Sequence, residues 1–182
     1  CKLRLPPETN VQQALQRVIS QVKLDFVRDN LVSKLSGGQR KRVSIAVELL
    51  ADPRLFFLDE PTSGLDPGLD KEIMKLLREL ADQGRTIVLV THATANIEVC
   101  DQIVFMGRGG NLCYFGDPIE SLNFFKKPQD LKYFADIYIE LEKGKTSKEV
   151  QQNVFNWAKS FVSYSSVYQS YLDAIKARNA SK

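Results

Sequence analysis

Two short stretches carry residue types that suit phosphate chemistry. Leu35-Ser36-Gly37-Gly38-Gln39 is a serine–glycine turn opening a helix, and backbone N–H groups at such a helix start can hold phosphate oxygens. Further on, the apolar run Leu55-Phe56-Phe57-Leu58 ends in Asp59-Glu60. In an α/β sheet ligands bind beyond the carboxyl ends of the strands, which is where these acids fall. Successive residues at a strand end point in different directions. One carboxylate can bind Mg2+, directly or through water, while its neighbour faces a nucleophilic water. Ser63-Gly64-Leu65-Asp66 follows, and His92, the only histidine, comes after a second apolar run at Thr86–Thr91.

Each feature also has an ordinary explanation. Asp59-Glu60 could be a solvated acidic turn, but two acids directly after four large apolar residues and before Pro61 fit a buried strand end better. Ser36 and Gln39 make a Ser-x-x-Gln capping box. A cap alone explains neither glycine, each costing up to about 1 kcal/mol within a helix. It also leaves Arg40-Lys41-Arg42 in the first turns, where cations oppose the helix dipole by about 0.3–1 kcal/mol each. A docked anion would offset that, with at least one of the three left as a solvated basic face. Asp66 before Pro67 needs no role beyond an N-cap, and its company argues for more. His92 is expected beside Glu60 on one sheet edge. Gly144-Lys145-Thr146 imitates the end of a P-loop, but position 139 is Ile rather than Gly and no strand leads in. No other stretch matches that loop.

The elements that must position these residues follow from periodicity. Val11, Leu15, Val18, Ile19 and Val22 have helical spacing, and residues 25–34 form a polar connection. Val43, Ala46, Val47 and Leu50 are expected as the buried stripe of the helix after Ser36. Pro53 ends it before the strand Leu55–Leu58. Asp66-Pro67 starts a helix with the stripe Ile73, Leu76, Leu77 and Leu80, stopped by Gly84. Strands apolar on both faces and alternating with helices imply α/β architecture with a mainly parallel sheet covered on both sides. Residues 102–106 and 112–115 read as two strands around a Gly-rich turn. Short helices are expected around Ile119, Leu122 and Phe125 and over Leu131–Leu141. An amphipathic tail carries Val150, Val154, Trp157 and Phe161, then Tyr164, Val167, Tyr168, Tyr171 and Ile175.

Bulk properties exclude several classes. A hydrophobic content of 43% with 26% charged residues is that of an ordinary globular domain. The net charge of +3, from 25 basic and 22 acidic residues, predicts no nucleic-acid partner. Three cysteines without CxxC spacing (Cys1, Cys100, Cys113) suit a reducing compartment rather than a disulfide framework or zinc. No apolar run approaches the roughly 18 residues that a membrane span needs. The chain starts at Cys1 rather than methionine, as an excerpt from a longer polypeptide would.

Taken together, Leu35–Gln39, Leu55–Glu60, Ser63–Asp66 and His92 resemble the signature motif, Walker B, D-loop and H-loop of the ATP-binding cassette (ABC) family. Residues 38–50, Gly38-Gln39-Arg40-Lys41-Arg42-Val43-Ser44-Ile45-Ala46-Val47-Glu48-Leu49-Leu50, are similar to the subfamily G (White-type) exporters, as is Gly116-Asp117-Pro118. The resemblance spans residues 28–140. Thr91-His92-Ala93-Thr94 departs from the His-Gln-Pro of many eukaryotic members and leans towards a bacterial relative.

The resemblance implies a partial P-loop NTPase core. Residues 1–50 would belong to the helical subdomain, 51–143 to the C-terminal part of the ATPase core, and 144–182 to a helical tail or connector towards a membrane domain. It implies ATP and Mg2+, a head-to-tail partner cassette, and a transmembrane domain in the same chain or a partner, at the cytoplasmic face of a membrane. By residue, Asp59 would coordinate Mg2+, Glu60 polarise water, and His92 touch the γ-phosphate of the same cassette. Ser36, Gly37, Gly38 and Gln39 would contact the nucleotide of the opposite cassette, and Asp66 would cross the interface. With the P-loop and Q-loop expected upstream of Cys1, the 182 residues alone would be inactive. A soluble non-transport ABC ATPase and a truncated, non-catalytic interaction module are the alternatives.

Overall fold

The computed structural model describes residues 5, 8–126, 133–165, 169–170, 173 and 176, and the chain divides into two compact units, Cys1–Val99 and Cys100–Lys182. In the first, α1 (Val11–Gln21) leads through two 3-10 turns to α2 (Gly37–Leu49), then β1 (Leu55–Asp59), α3 (Pro67–Asp82) and β2 (Thr86–Val90). The strands pair in parallel, from Leu55 opposite Thr86 to Asp59 opposite Val90, with α3 as the crossover. Helix α3 buries the expected Ile73, Leu76, Leu77 and Leu80, together with Met74 and Asp70. Its start is built as Asp66-Pro67 suggests: Asp66 Oδ1 accepts from the N–H groups of Gly68 (2.9 Å) and Leu69 (3.1 Å).

Two expectations about burial are corrected. The strands are not covered on both sides. Phe56, Leu58, Ile87 and Leu89 share the covered face, whereas Leu55, Phe57, Val88 and Val90 stand exposed, Phe57 by 72%. An apolar composition permits burial on both faces, but that needs a layer on each side, and the described residues of this unit supply a layer on one side only. The buried stripe of α2 is Gly38, Ile45 and Leu49, with the expected Leu50 buried just beyond it; Val43 and Ala46 are only half-buried and Val47 is 41% exposed. Apolar side chains ring this helix between Val43 and Leu50, so spacing alone does not choose its inner face.

In the second unit β3 (Ile103–Gly107) and β4 (Asn111–Gly116) form an antiparallel hairpin, followed by α4 (Pro118–Phe125), α5 (Phe134–Leu141) and α6 (Ser147–Tyr164). Helix α6 packs on β4 and buries Val150, Val154 and Phe161, so this part of the tail is an integral helix of its unit. Gly144-Lys145-Thr146 follows a helix, and Thr146 caps α6 by accepting from Glu149 N–H at 3.2 Å; it is no P-loop. Cys1, Leu131, Val167, Tyr168, Tyr171 and Ile175 lie outside the described residues. Among the described residues no helix is long and apolar enough to cross a membrane.

Tyr114 sits among Phe124, Phe125 and Phe161, with ring centroids 5.6–6.2 Å away, and its hydroxyl donates to the Asp117 carbonyl at 2.8 Å. Burial, reinforced by the charges of Asp117, Glu120 and Tyr164, pushes its pKa from 10.0 up to about 12. A folded-state pKa above the unfolded value gives stability that is present below pH 10.0 and lost as pH rises through about 12. Urea unfolding across that window should show a steeper loss for the natural chain than for Tyr114→Phe. Identical alkaline limbs would refute the burial argument.

Candidate active site

The last rung of the parallel pair places Asp59 opposite Val90, and the next residue, Glu60, donates its N–H to the Val90 carbonyl at 2.8 Å. Glu60 has a φ of +47°, a left-handed conformation costing a non-glycine residue about 1–3 kcal/mol. Such strain persists only where the surroundings over-determine it, and here they do. The Glu60 carbonyl accepts from Ser63 N–H (3.2 Å) and from Lys41 Nζ (3.1 Å). Its side chain lies with Oε1 2.7 Å from His92 Nδ1. The expected meeting of Glu60 and His92 on one sheet edge is therefore present. Glu60 Oε2 is buried with no hydrogen-bond partner among the described residues. One carboxylate oxygen is held by an imidazole and the other is unpaired, a geometry suited to accepting a proton from a water molecule.

Asp59 is exposed at the same strand end. The described residues contain no cluster of three or more His, Cys, Asp or Glu that could cage a metal. Mg2+ keeps most of its waters and is commonly bound by one or two carboxylates and the substrate's phosphates. The unpaired Glu60 Oε2 beside Asp59 in sequence is compatible with a cation held this way.

The turn before α2 forms the full capping box. Ser36 Oγ accepts from Gln39 N–H (3.2 Å) and Gln39 Oε1 accepts from Ser36 N–H (2.8 Å). The two glycines have different causes. A Cβ on Gly38 would lie 3.0 Å from Leu69 Cδ2, so this glycine lets α2 approach α3. Gly37 meets only ordinary contact, 3.8 Å from Leu65, and lines an open groove of about 340 Å³ with Arg40, Lys41, Ser44 and Ser63–Leu65. Packing thus accounts for one glycine without an anion. It accounts for the cations too. Arg40 donates to the Leu35 carbonyl (2.6 Å), Lys41 to Glu60, and Arg42 to the Val22 carbonyl (3.2 Å) and Glu72 (3.0 Å). These side chains therefore take carbonyl-capping and ion-pairing roles within the chain. Asp66 commits Oδ1 to its own helix start.

Sequence reasoning passed over a supporting pair. Asp70 is buried in α3 and accepts a hydrogen bond from Asn96 Nδ2, on the loop that leads away from His92. Arg78 Nη1 also donates to the Val99 carbonyl of that loop at 3.4 Å. A signal was present, because Asp70 falls in line with Ile73, Leu77 and Leu80 on the apolar stripe. An acid there needs a partner.

With this geometry in place, comparison with known proteins is specific. A family profile described as "ABC transporter" matches residues 4–63. The ABC transporter ATP-binding/permease protein Rv1747 of Mycobacterium tuberculosis is 48% identical over 122 residues, covering 65% of this chain and 14% of that protein. ABC transporter G family member 37 of Arabidopsis thaliana is 41% identical over 124 residues, covering 63% and 9%. The chain is similar to ABC transporter ATP-binding proteins over 63–65% of its length. Solved ABC ATPases share its fold. The cbiO1 structure from Clostridium perfringens, part of the ABC transporter complex cbiONQ, is 35% identical with a TM-score of 0.60, covering 65% of this chain and 48% of that one. The ADP conformation of MJ1267, an ATP-binding cassette, is 27% identical with a TM-score of 0.62, covering 74% and 52%. The chain thus spans about half of the solved ABC cassettes it matches and a small fraction of the full transporters.

Asp70→Ala should expose what holds the His92 loop. Removing a hydrogen bond to a charged group costs about 1.5–3 kcal/mol, so the urea midpoint of the first unit should fall accordingly. An unchanged midpoint would show that Asp70 and Asn96 contribute nothing to the loop.

Proposed function

We propose that this chain is the C-terminal portion of the ATP-binding and hydrolysing domain of an ABC exporter of the G type. In this reading residues 1–50 belong to the helical subdomain, 51–143 to the ATPase core, and 144–182 to a helical tail. The observation that carries it is Glu60: strained at φ +47°, with Oε1 on His92 and Oε2 buried and unpaired. Glu60 takes the proton of the attacking water. His92 holds the carboxylate and contacts the γ-phosphate. Asp59 would hold Mg2+, whose chemistry is to neutralise charge on the transferred phosphoryl group.

Ser36, Gly37, Gly38 and Gln39 face the nucleotide of a second cassette packed head to tail, with Asp66 near that interface. The open groove at Gly37 and the exposed sheet face with Phe57 and Val90 support a chain that completes its fold and site with further protein. The names of the relatives, an ATP-binding/permease protein and G family transporters, support coupling to a transmembrane domain. ATP hydrolysis would then drive export from the cytoplasmic face of a membrane. No stretch of the 182 residues matches a P-loop, so the isolated chain binds no ATP tightly and is inactive.

In a complete cassette, Glu60→Gln should lower ATP turnover by at least about 10²-fold, the scale of a positioned general base. Near-normal turnover would remove Glu60 from that role. Calorimetry on the 182 residues alone should detect no tight ATP binding, and micromolar affinity would contradict the need for an added phosphate cradle.

A further inference from the structure

Lys41 is the one basic residue of the Arg40-Lys41-Arg42 run that reaches the candidate catalytic residue. Its Nζ donates to the Glu60 carbonyl at 3.1 Å, while Arg40 is turned back to Leu35, and Arg42 joins Val22 and Glu72. Electrostatics at a helix start disfavours a lysine there, and no cap needs one. The carbonyl it takes belongs to the strained peptide. Relaxation of Glu60 from φ +47° towards the ordinary region would turn its backbone groups away from Val90, Ser63 and Lys41 together. Of these partners only Lys41 comes from α2, the helix whose N-terminus presents Ser36 and Gly37.

We propose that Lys41 is a positioning residue: from α2 it fixes the Glu60 backbone, and so the direction of the carboxylate that activates water. The inference rests on the hydrolytic reading of Glu60. It makes α2 and the Walker B strand end one mechanical piece, although in that reading the two serve different nucleotides of the dimer. Lys41 acts through Glu60 and needs no contact with ATP.

The test uses the complete polypeptide that carries this chain, with Lys41→Met, which keeps the apolar stem and removes the donor, and Lys41→Arg, which keeps a donor. Lys41→Met should lower kcat about tenfold with the KM for ATP within about twofold of the natural protein, since misplacement of a reacting group costs rate rather than binding. Lys41→Arg should restore most of that rate, and the thermal midpoint should not move. Amide hydrogen exchange over residues 60–65 should quicken in Lys41→Met and recover in Lys41→Arg. Unchanged kcat and unchanged exchange in Lys41→Met overturn the proposal. So does a lost rate that tracks a lowered midpoint and is not rescued by arginine. If the natural polypeptide hydrolyses no ATP, the hydrolytic reading of Glu60 fails, and the exchange measurement still decides whether Lys41 holds that peptide.

Discussion

Five residues of β1 lie beside five of β2 in parallel register, and Asp59 opposite Val90 is the final rung. Everything polar in the candidate site hangs from that rung. The Val90 carbonyl takes the Glu60 N–H, which draws the chain past the strand end into a left-handed turn. The same pairing delivers His92, two residues beyond Val90, to the Glu60 carboxylate. A slip of the register would move the acids away from the imidazole and leave the strained peptide without its holder. Helix α3, the crossover that makes parallel pairing possible, also carries Asp70, which holds the loop beyond His92.

Two capped helix starts frame this strand end. Ser36 begins α2 and Asp66 begins α3, and Gly38 against Leu69 lets the helices approach. The cations after the signature motif are committed to carbonyls and to Glu72, which relieves their opposition to the helix dipole within the protein itself. Through Lys41, the helix start and the strand end are tied by one hydrogen bond. The Ser36–Gln39 turn and Glu60 therefore share one frame.

Features set by neighbouring residues were legible in the sequence. The Ser36–Gln39 capping box, the Asp66-Pro67 start of α3, its Ile73–Leu80 stripe and the strands at Leu55 and Thr86 depend on local chemistry, and they stand where spacing placed them. What depends on distant partners was not legible. The φ of Glu60 is held by Val90, Ser63 and Lys41, and no local pattern announces a left-handed glutamate. The inner face of α2 is chosen by what packs on it, because its own apolar residues encircle it. The strands' apolar composition promised two covered faces, and the described residues cover one. The carbonyl partners of Arg40 and Arg42 at Leu35 and Val22 cannot be read from charge alone. The final stripe divided between packing and linking, and α6 against β4 decides for packing as far as Tyr164.

The central claim is that Ser36 and Glu60, framed together in one chain, act on two different nucleotides of a head-to-tail pair. A mixed dimer of complete cassettes tests it directly, through the placement of Ser36→Arg and Glu60→Gln. With the two lesions on opposite cassettes, both fall in one site and the other site remains whole. With both on the same cassette, each site carries one lesion. The account predicts that the opposite-cassette dimer keeps about half the natural ATPase rate while the same-cassette dimer loses nearly all of it. Higher activity in the same-cassette dimer would contradict it, because Ser36 and Glu60 would then serve one nucleotide from a single chain.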